Sequence, residues 1–210
     1  MFSYVESIIL WLRKTIFKLS LPRKISPERI MRLPLVSYGG EIVLVDDISK
    51  ARCAIAELSR EKVVGFDSES KPSFRKGEMY NPSLIQLAGE KKVYLFQLEK
   101  INGLELIKGI LESKDILKAG VGVDLDVARL RCLSYFEARN FFDLGKLSRH
   151  LGIVHTGLRN LAAIFLNKRI SKCVQLSDWS QLELTDRQKI YAATDAWISR
   201  LLYFKMRSLE

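Results

Sequence analysis

Five residues of this chain have the types and spacings of a metal-dependent hydrolytic centre. Asp67 and Glu69 lie in Val63-Val64-Gly65-Phe66-Asp67-Ser68-Glu69, and Asp126 closes Gly120-Val121-Gly122-Val123-Asp124-Leu125-Asp126. Tyr191 and Asp195 share Tyr191-Ala192-Ala193-Thr194-Asp195-Ala196. Each carboxylate sits in or beside an apolar segment, where an unpaired charge is costly. Lysine or arginine could compensate it in so basic a chain, but three separate acidic sites converging argue for a divalent metal. Carboxylates without histidine or cysteine are the donor preference of hard ions such as Mg²⁺ or Mn²⁺. Two such ions roughly 3.5–4 Å apart would activate a water and stabilise the leaving oxygen in phosphodiester hydrolysis. Tyr191 would position that water by a hydrogen bond, because an unperturbed phenol, pKa about 10, is a poor general base near neutrality.

Each group also has an ordinary structural reading. Asp67 and Glu69 could be a solvated strand end, Tyr191 a core tyrosine, and Asp195 a partner of Arg200 or Lys189. The combination is harder to dismiss than any member. Positions i and i+2 of a strand share a face, so Asp67 and Glu69 can reach one ion while Ser68 points away and Gly65 leaves room. Tyr191 and Asp195 are one helical turn apart and share a helix face. Thr185-Asp186-Arg187-Gln188 supplies the N-cap of that helix. Asp126 follows a Gly-Val-Gly turn near a helix start, with Asp124 competing for its role. The helical pattern favours Asp126 as metal-facing and Asp124 as N-cap.

The elements that must hold these residues read as strands early and helices late. Short apolar runs at 42–45, 63–66, 84–87, 93–96, 116–119 and 141–142 suit strands, and 84–96 suggests a hairpin turning at Gly89-Glu90-Lys91-Lys92. Helical spacing covers 48–58, 104–111 and 125–132, then most of 144–206 with a break near 171–180. This describes an α/β domain, a mixed sheet with helices packed around it, spanning 41–210. Residues 20–40, with Pro22, Pro27, Pro34 and Gly39-Gly40, read as a linker or wrapping arm. Residues 1–19 read as an amphipathic helix, too short in its uncharged part for a membrane span and lacking signal-peptide features. That helix either packs on protein or lies peripherally on an anionic membrane, with Trp11 and basic residues as anchors.

The net charge of +10 favours an acidic partner, nucleic acid or an anionic surface. Half of that excess falls in residues 1–40, which hold seven Lys/Arg against two Glu. Cys53, Cys132 and Cys173 are odd in number and scattered, which argues against a disulfide framework or zinc site and suits a reducing, cytoplasmic setting. Two histidines leave little for Ser-His-Asp chemistry.

At these residues the sequence resembles the DEDD superfamily of 3′–5′ exonucleases, in its tyrosine-bearing branch with ribonuclease D and the Werner exonuclease domain. The likeness covers about residues 42–206. It is carried by Gly65-Phe66-Asp67-Ser68-Glu69 with Ser83-Leu84-Ile85-Gln86-Leu87, then by Lys118-Ala119-Gly120-Val121-Gly122 through Asp126. It continues in Asp178-Trp179-Ser180, Leu184-Thr185, Gln188 and Tyr191 to Ala196. The resemblance implies a ribonuclease H-like fold and places the second-motif aspartate at Asp126. It also implies stepwise release of nucleoside monophosphates from single-stranded 3′ ends of RNA or DNA, using two Mg²⁺ or Mn²⁺ ions held by Asp67, Glu69, Asp126 and Asp195. The histidine branch would carry its histidine at the position of Ile190. Ser70 departs from the family, where a bulky or aromatic residue often follows the first-motif glutamate. The chain also ends before the nucleic-acid-binding helical domains of ribonuclease D, so processivity on structured RNA is not expected.

For the substrate, Lys71-Pro72-Ser73-Phe74-Arg75-Lys76-Gly77 follows the first acidic pair. Arg75 and Lys76 are candidate phosphate contacts, Phe74 a stacking residue and Ser68 a further candidate nucleic-acid contact; the resemblance puts the position of Ser70 close to the terminal nucleotide. Lys168, Arg169 and Lys172 form a second basic cluster. The alternative function is a catalytically silent nucleic-acid-binding or adaptor module on the same fold.

Overall fold

The computed structural model describes residues 20–75 and 77–209. The strands are β1 (Glu41–Val45), β2 (Val63–Ser70), β3 (Pro82–Ala88), β4 (Lys92–Gln97), β5 (Leu117–Gly120) and β6 (Phe141–Asp143). They form one mixed sheet in the order β1-β4-β3-β2-β5-β6. The pairs β2–β3 and β3–β4 are antiparallel, while β1–β4, β2–β5 and β5–β6 are parallel. β3 and β4 lie inside the sheet and are buried on both faces, which is why they read as continuous apolar runs.

The helices are α1 (Pro27–Met31), α2 (Ile48–Leu58), α3 (Lys108–Leu111), α4 (Val123–Leu133), α5 (Leu144–His150), α6 (Leu158–Leu166) and α7 (Asp186–Arg207). On one sheet face, Val64, Phe66, Ile85 and Leu87 pack with Leu58 of α2, Leu111 of α3 and Leu130 of α4. On the other, Leu84, Ala88, Val93 and Leu95 meet Ala192, Ala193 and Ala196 of α7. Beyond α7, a third cluster joins Leu144, Leu161, Phe165 and Leu202 to Ile25 and Ile30. The result is a ribonuclease H-like sheet between two helical layers.

Gly65 explains how closely α7 approaches. A Cβ there would lie 1.8 Å from the Ala196 carbonyl oxygen, so the sheet and the helix backbone touch where a side chain would stand. Residues 20–38 are fastened to the domain along their length. Ile25 and Ile30 are buried, and Val36 N–H donates to the Arg169 carbonyl at 2.9 Å. The Arg169 Nε–H donates to the Leu33 carbonyl at 2.9 Å, and Tyr38 N–H to Thr194 Oγ1 at 2.9 Å.

Two local expectations are corrected. The helix expected at 104–111 is helical only over Lys108–Leu111; residues 101–107 are turns, led by Asn102 and Gly103 at positive φ. Asp124 does not cap α4. That helix begins at Val123, after Gly122 with φ of 75°, a left-handed conformation that glycine takes without steric cost. Asp124 instead sits in the first turn and pairs with Lys146. The reading of residues 1–19 falls outside the described residues. No described helix is long and apolar enough to cross a membrane.

Candidate active site

Strand β2 outruns its parallel neighbour. Pairing with β5 stops at Gly65 opposite Ala119, so Asp67, Ser68 and Glu69 project past it at the carboxyl ends of both strands. Open α/β sheets bind ligands in such crevices. Alternation puts Asp67 and Glu69 on the side of Gly65, facing α7, and Ser68 on the side of Phe66. α7 is oriented by a complete capping box: Thr185 Oγ1 accepts from Gln188 N–H at 3.3 Å, and Gln188 Oε1 accepts from Thr185 N–H at 3.0 Å. Tyr191 and Asp195 thereby face the strand end.

Asp67, Glu69 and Asp195 converge. Each offers a carboxylate oxygen, and the three oxygens lie within 4.8 Å of one another. Asp195 is 6% exposed, and its Oδ1 is buried with no hydrogen-bond partner. Neither cation considered in the sequence neutralises it. Lys189 pairs with Asp186, and Arg200 with Glu61 while donating to the Val63 carbonyl. Burial, then the charges of Asp195, Glu69 and Asp126, raises Asp67 well above the usual carboxylate range. Burial, then Asp195 and Asp126, pushes Glu69 up to about 8. Burial pushes Asp195 up to about 7, partly opposed by the Tyr191 hydroxyl. Burial and the surrounding negative charges drive the Tyr191 phenol far above its ordinary value, so it stays protonated as a hydrogen-bond donor.

Asp126 reaches the centre from the opposite helical layer. Ser68 does point away from its neighbours' face, but toward Asp126: its hydroxyl donates to Asp126 Oδ1 at 2.7 Å. The site therefore wraps around the end of β2. Burial raises Asp126, against the Ser68 bond and the positive charge of Arg129, while Asp143 adds to the rise. Arg129 shares the helical stripe of Asp126 and is the charge that tempers it.

Several residues that carry no reactive group hold this arrangement, and the family resemblance named them without their roles. Trp179 is buried with its ring 5.8 Å from that of Tyr191. Its carbonyl accepts from Ser83 Oγ at 2.8 Å, which ties the 171–182 segment to β3. Gln188, besides capping α7, donates to Ser177 Oγ and the Asp178 carbonyl, each at 3.1 Å. Gln86 stands opposite Asp67 in the β2–β3 register, fully buried, with neither amide atom bonded.

The donor set suits a divalent cation: hard carboxylate oxygens, convergent, buried enough to resist ionisation, with one oxygen lacking any partner. Asp67, Glu69 and Asp195 share one point, and Asp126 is close enough to act electrostatically on the first two.

The substrate residues are less gathered. Phe74 is 79% exposed on the loop after β2, and Arg75 faces Glu78 at 3.8 Å. Lys76 lies outside the described residues. Lys71 bridges to Asp178 at 3.7 Å, joining this loop to the 171–182 segment. Of the second basic cluster, Arg169 donates its Nε–H to the Leu33 carbonyl and so is tied to the N-terminal arm.

Residues 42–209 match the family model described as 3′–5′ exonuclease. The chain belongs to the 3′–5′ exonuclease family. It is a DEDD-superfamily domain, and the family's activity is hydrolytic. The mouse bifunctional 3′–5′ exonuclease/ATP-dependent helicase WRN is 32% identical over 187 residues, covering 84% of this chain and 13% of that protein. An exonuclease mut-7 homolog of Aedes aegypti is 31% identical, covering 76% of this chain and 26% of that protein. The crystal structure of the Aedes aegypti Nibbler EXO domain superposes with a TM-score of 0.74 at 25% identity, covering 83% of this chain and 92% of that one. The chain thus spans at most 40% of the length of the first three curated relatives it matches. The exonuclease family acts on nucleic-acid 3′ ends.

Proposed function

We propose that this domain hydrolyses the terminal phosphodiester bond at the 3′ end of single-stranded RNA or DNA, releasing nucleoside monophosphates, as a member of the tyrosine-bearing branch. The observation that carries the reading is the convergence of Asp67, Glu69 and Asp195 without a neutralising side chain. These three and Asp126 would hold two divalent cations, Mg²⁺ or Mn²⁺. Bound there, the cations would supply a lowered water pKa and charge stabilisation at the leaving oxygen.

The chain's own residues set the rest. Tyr191, kept protonated by burial and surrounding carboxylates, donates a hydrogen bond and orients a water. It cannot be the base in that state. Ser68 fixes Asp126, and the capped helix with Trp179 behind it fixes Tyr191 and Asp195. Preorganisation of this kind spares the reaction the cost of moving groups into place.

The test is incubation of the protein with 5′-labelled single-stranded RNA and DNA in Mg²⁺, Mn²⁺ or EDTA, beside an Asp67→Ala, Glu69→Ala variant. A metal-dependent ladder shortening from the 3′ end, absent in the variant, is expected. Binding without any ladder, in either metal, would overturn the reading in favour of a silent module.

A further inference from the structure

Beside the acidic centre lies a cleft of about 440 Å³ whose inner wall is Tyr191 and Asp195 and whose rim carries Arg159, Lys172, Asn160 and Ser171. Its outer wall is the N-terminal arm, through Ile25, Pro27 and Ile30. That arm precedes residues 42–209, the span of the family match. The charges in the cleft are one-sided. Asp195 is the sole carboxylate among its lining residues, against Arg159 and Lys172. Among the described residues, no carboxylate pairs with either cation. Arg159 is half-buried, its Nε is buried without a partner, and its Nη2 meets Met31 Sδ of the arm at 3.5 Å. The thioether holds the guanidinium without neutralising it, so its charge is left for an anion in the cleft.

We propose that this cleft binds a backbone phosphate of the substrate strand other than the one cleaved, with Arg159 and Lys172 as its cations and the arm as its outer wall. The inference rests on the exonuclease reading for the presence of a strand at the neighbouring centre. Arg159 approaches from the first turn of α6 and Lys172 from the segment opposite, so a phosphate between them is gripped from two elements. Such contacts carry affinity and register, with no base preference.

The experiment measures binding without turnover: anisotropy of a labelled single-stranded 12-mer in EDTA, with Arg159→Gln, Lys172→Gln and Arg159→Lys. Each glutamine variant should raise Kd roughly tenfold, as loss of a charge-assisted bond does, and flatten the salt dependence by about 0.7 per lost cation. Arg159→Lys should recover part of the affinity. Cleavage of a dinucleotide, which has only the scissile phosphate, should stay within about twofold of wild type. An unchanged 12-mer Kd for exposed Lys172→Gln and for Arg159→Gln would overturn the proposal. So would an equal KM rise on the dinucleotide, which would assign the cleft to the scissile phosphate. Loss of competition by a free nucleoside monophosphate in the variants alone would instead make it a product site. Should wild type bind the 12-mer and shorten nothing, the exonuclease reading fails while the binding measurements still decide the cleft.

Discussion

Two charged sites are buried in this domain, and they are treated in opposite ways. Lys118, in β5, is wholly buried, yet its ammonium donates to the Ser113 carbonyl at 2.8 Å and the Ile116 carbonyl at 2.9 Å and lies 5.1 Å from the Phe141 ring. The fold satisfies that charge from its own backbone. At the end of β2, three carboxylates share a space to which no described residue supplies a compensating cation, and one oxygen has no partner among the described residues. A charge the fold completes is structural. A cluster it leaves incomplete has the donor set of a cation site.

The largest effect expected from breaking this contrast is on the acidic side. Asp67→Asn with Glu69→Gln should lower turnover on the order of a thousandfold or more, about 4 kcal/mol in the barrier. In EDTA at pH 8 the same variant should melt above wild type, because it removes mutual repulsion. A lower melting temperature would mean that the carboxylates are structural after all. Next comes Gly65→Ala, whose Cβ would overlap the Ala196 carbonyl and push α7 from the sheet. It should cost about 3 kcal/mol of stability and most of the activity, read by denaturant melts and the ladder assay. Lys118→Met should cost about 1–3 kcal/mol by stranding two carbonyls, and leave turnover per folded molecule unchanged.

The pH dependences should also diverge. Asp195 and Glu69 are raised to about 7 and 8, so their contribution to stability is full below the usual carboxylate range and is lost as pH rises through those values. Burial lowers Lys118 to about 8, so the folded protein sheds that proton first and stability from this group grows between about 8 and its ordinary 10.5. Melting in EDTA from pH 5 to 8 should therefore show decline, which Mg²⁺ or the double variant flattens. Smallest of all, Asp124→Asn should change stability by under about 0.5 kcal/mol, since its pair with Lys146 is exposed. Asp126→Asn should abolish turnover, and equal effects at both positions would undo the choice between them.

The convergence of the candidate residues was legible because their spacing maps directly onto strand and helix periodicity. Asp67 with Glu69 and Tyr191 with Asp195 each share a face by counting alone. Asp126 was favoured by the helical pattern and settled by the family motif, since a helix start offers two acids two residues apart; only the packed structure shows which one Ser68 meets. The sheet's apolar runs and the cap at Thr185 were readable for the same local reasons. The arm was legible only as one of two readings, linker or wrapping arm. Its prolines signal irregular backbone, but nothing local says that Ile25 and Ile30 will join the core or that the Leu33 carbonyl will meet Arg169. The tie from Gln188 to the Asp178 carbonyl hid likewise, because one side chain serves a helix cap and a distant loop at once. Long-range polar contacts leave no periodicity to read.

The seating of α7 against Gly65 has a consequence for timing. Tyr191 and Asp195 follow every strand of the sheet in the chain, so a growing polypeptide carries Asp67 and Glu69 on a bare strand end long before their counterparts exist. Domains assemble as their segments emerge during synthesis. The three carboxylates therefore come together only once α7, the last of the described helices, has docked.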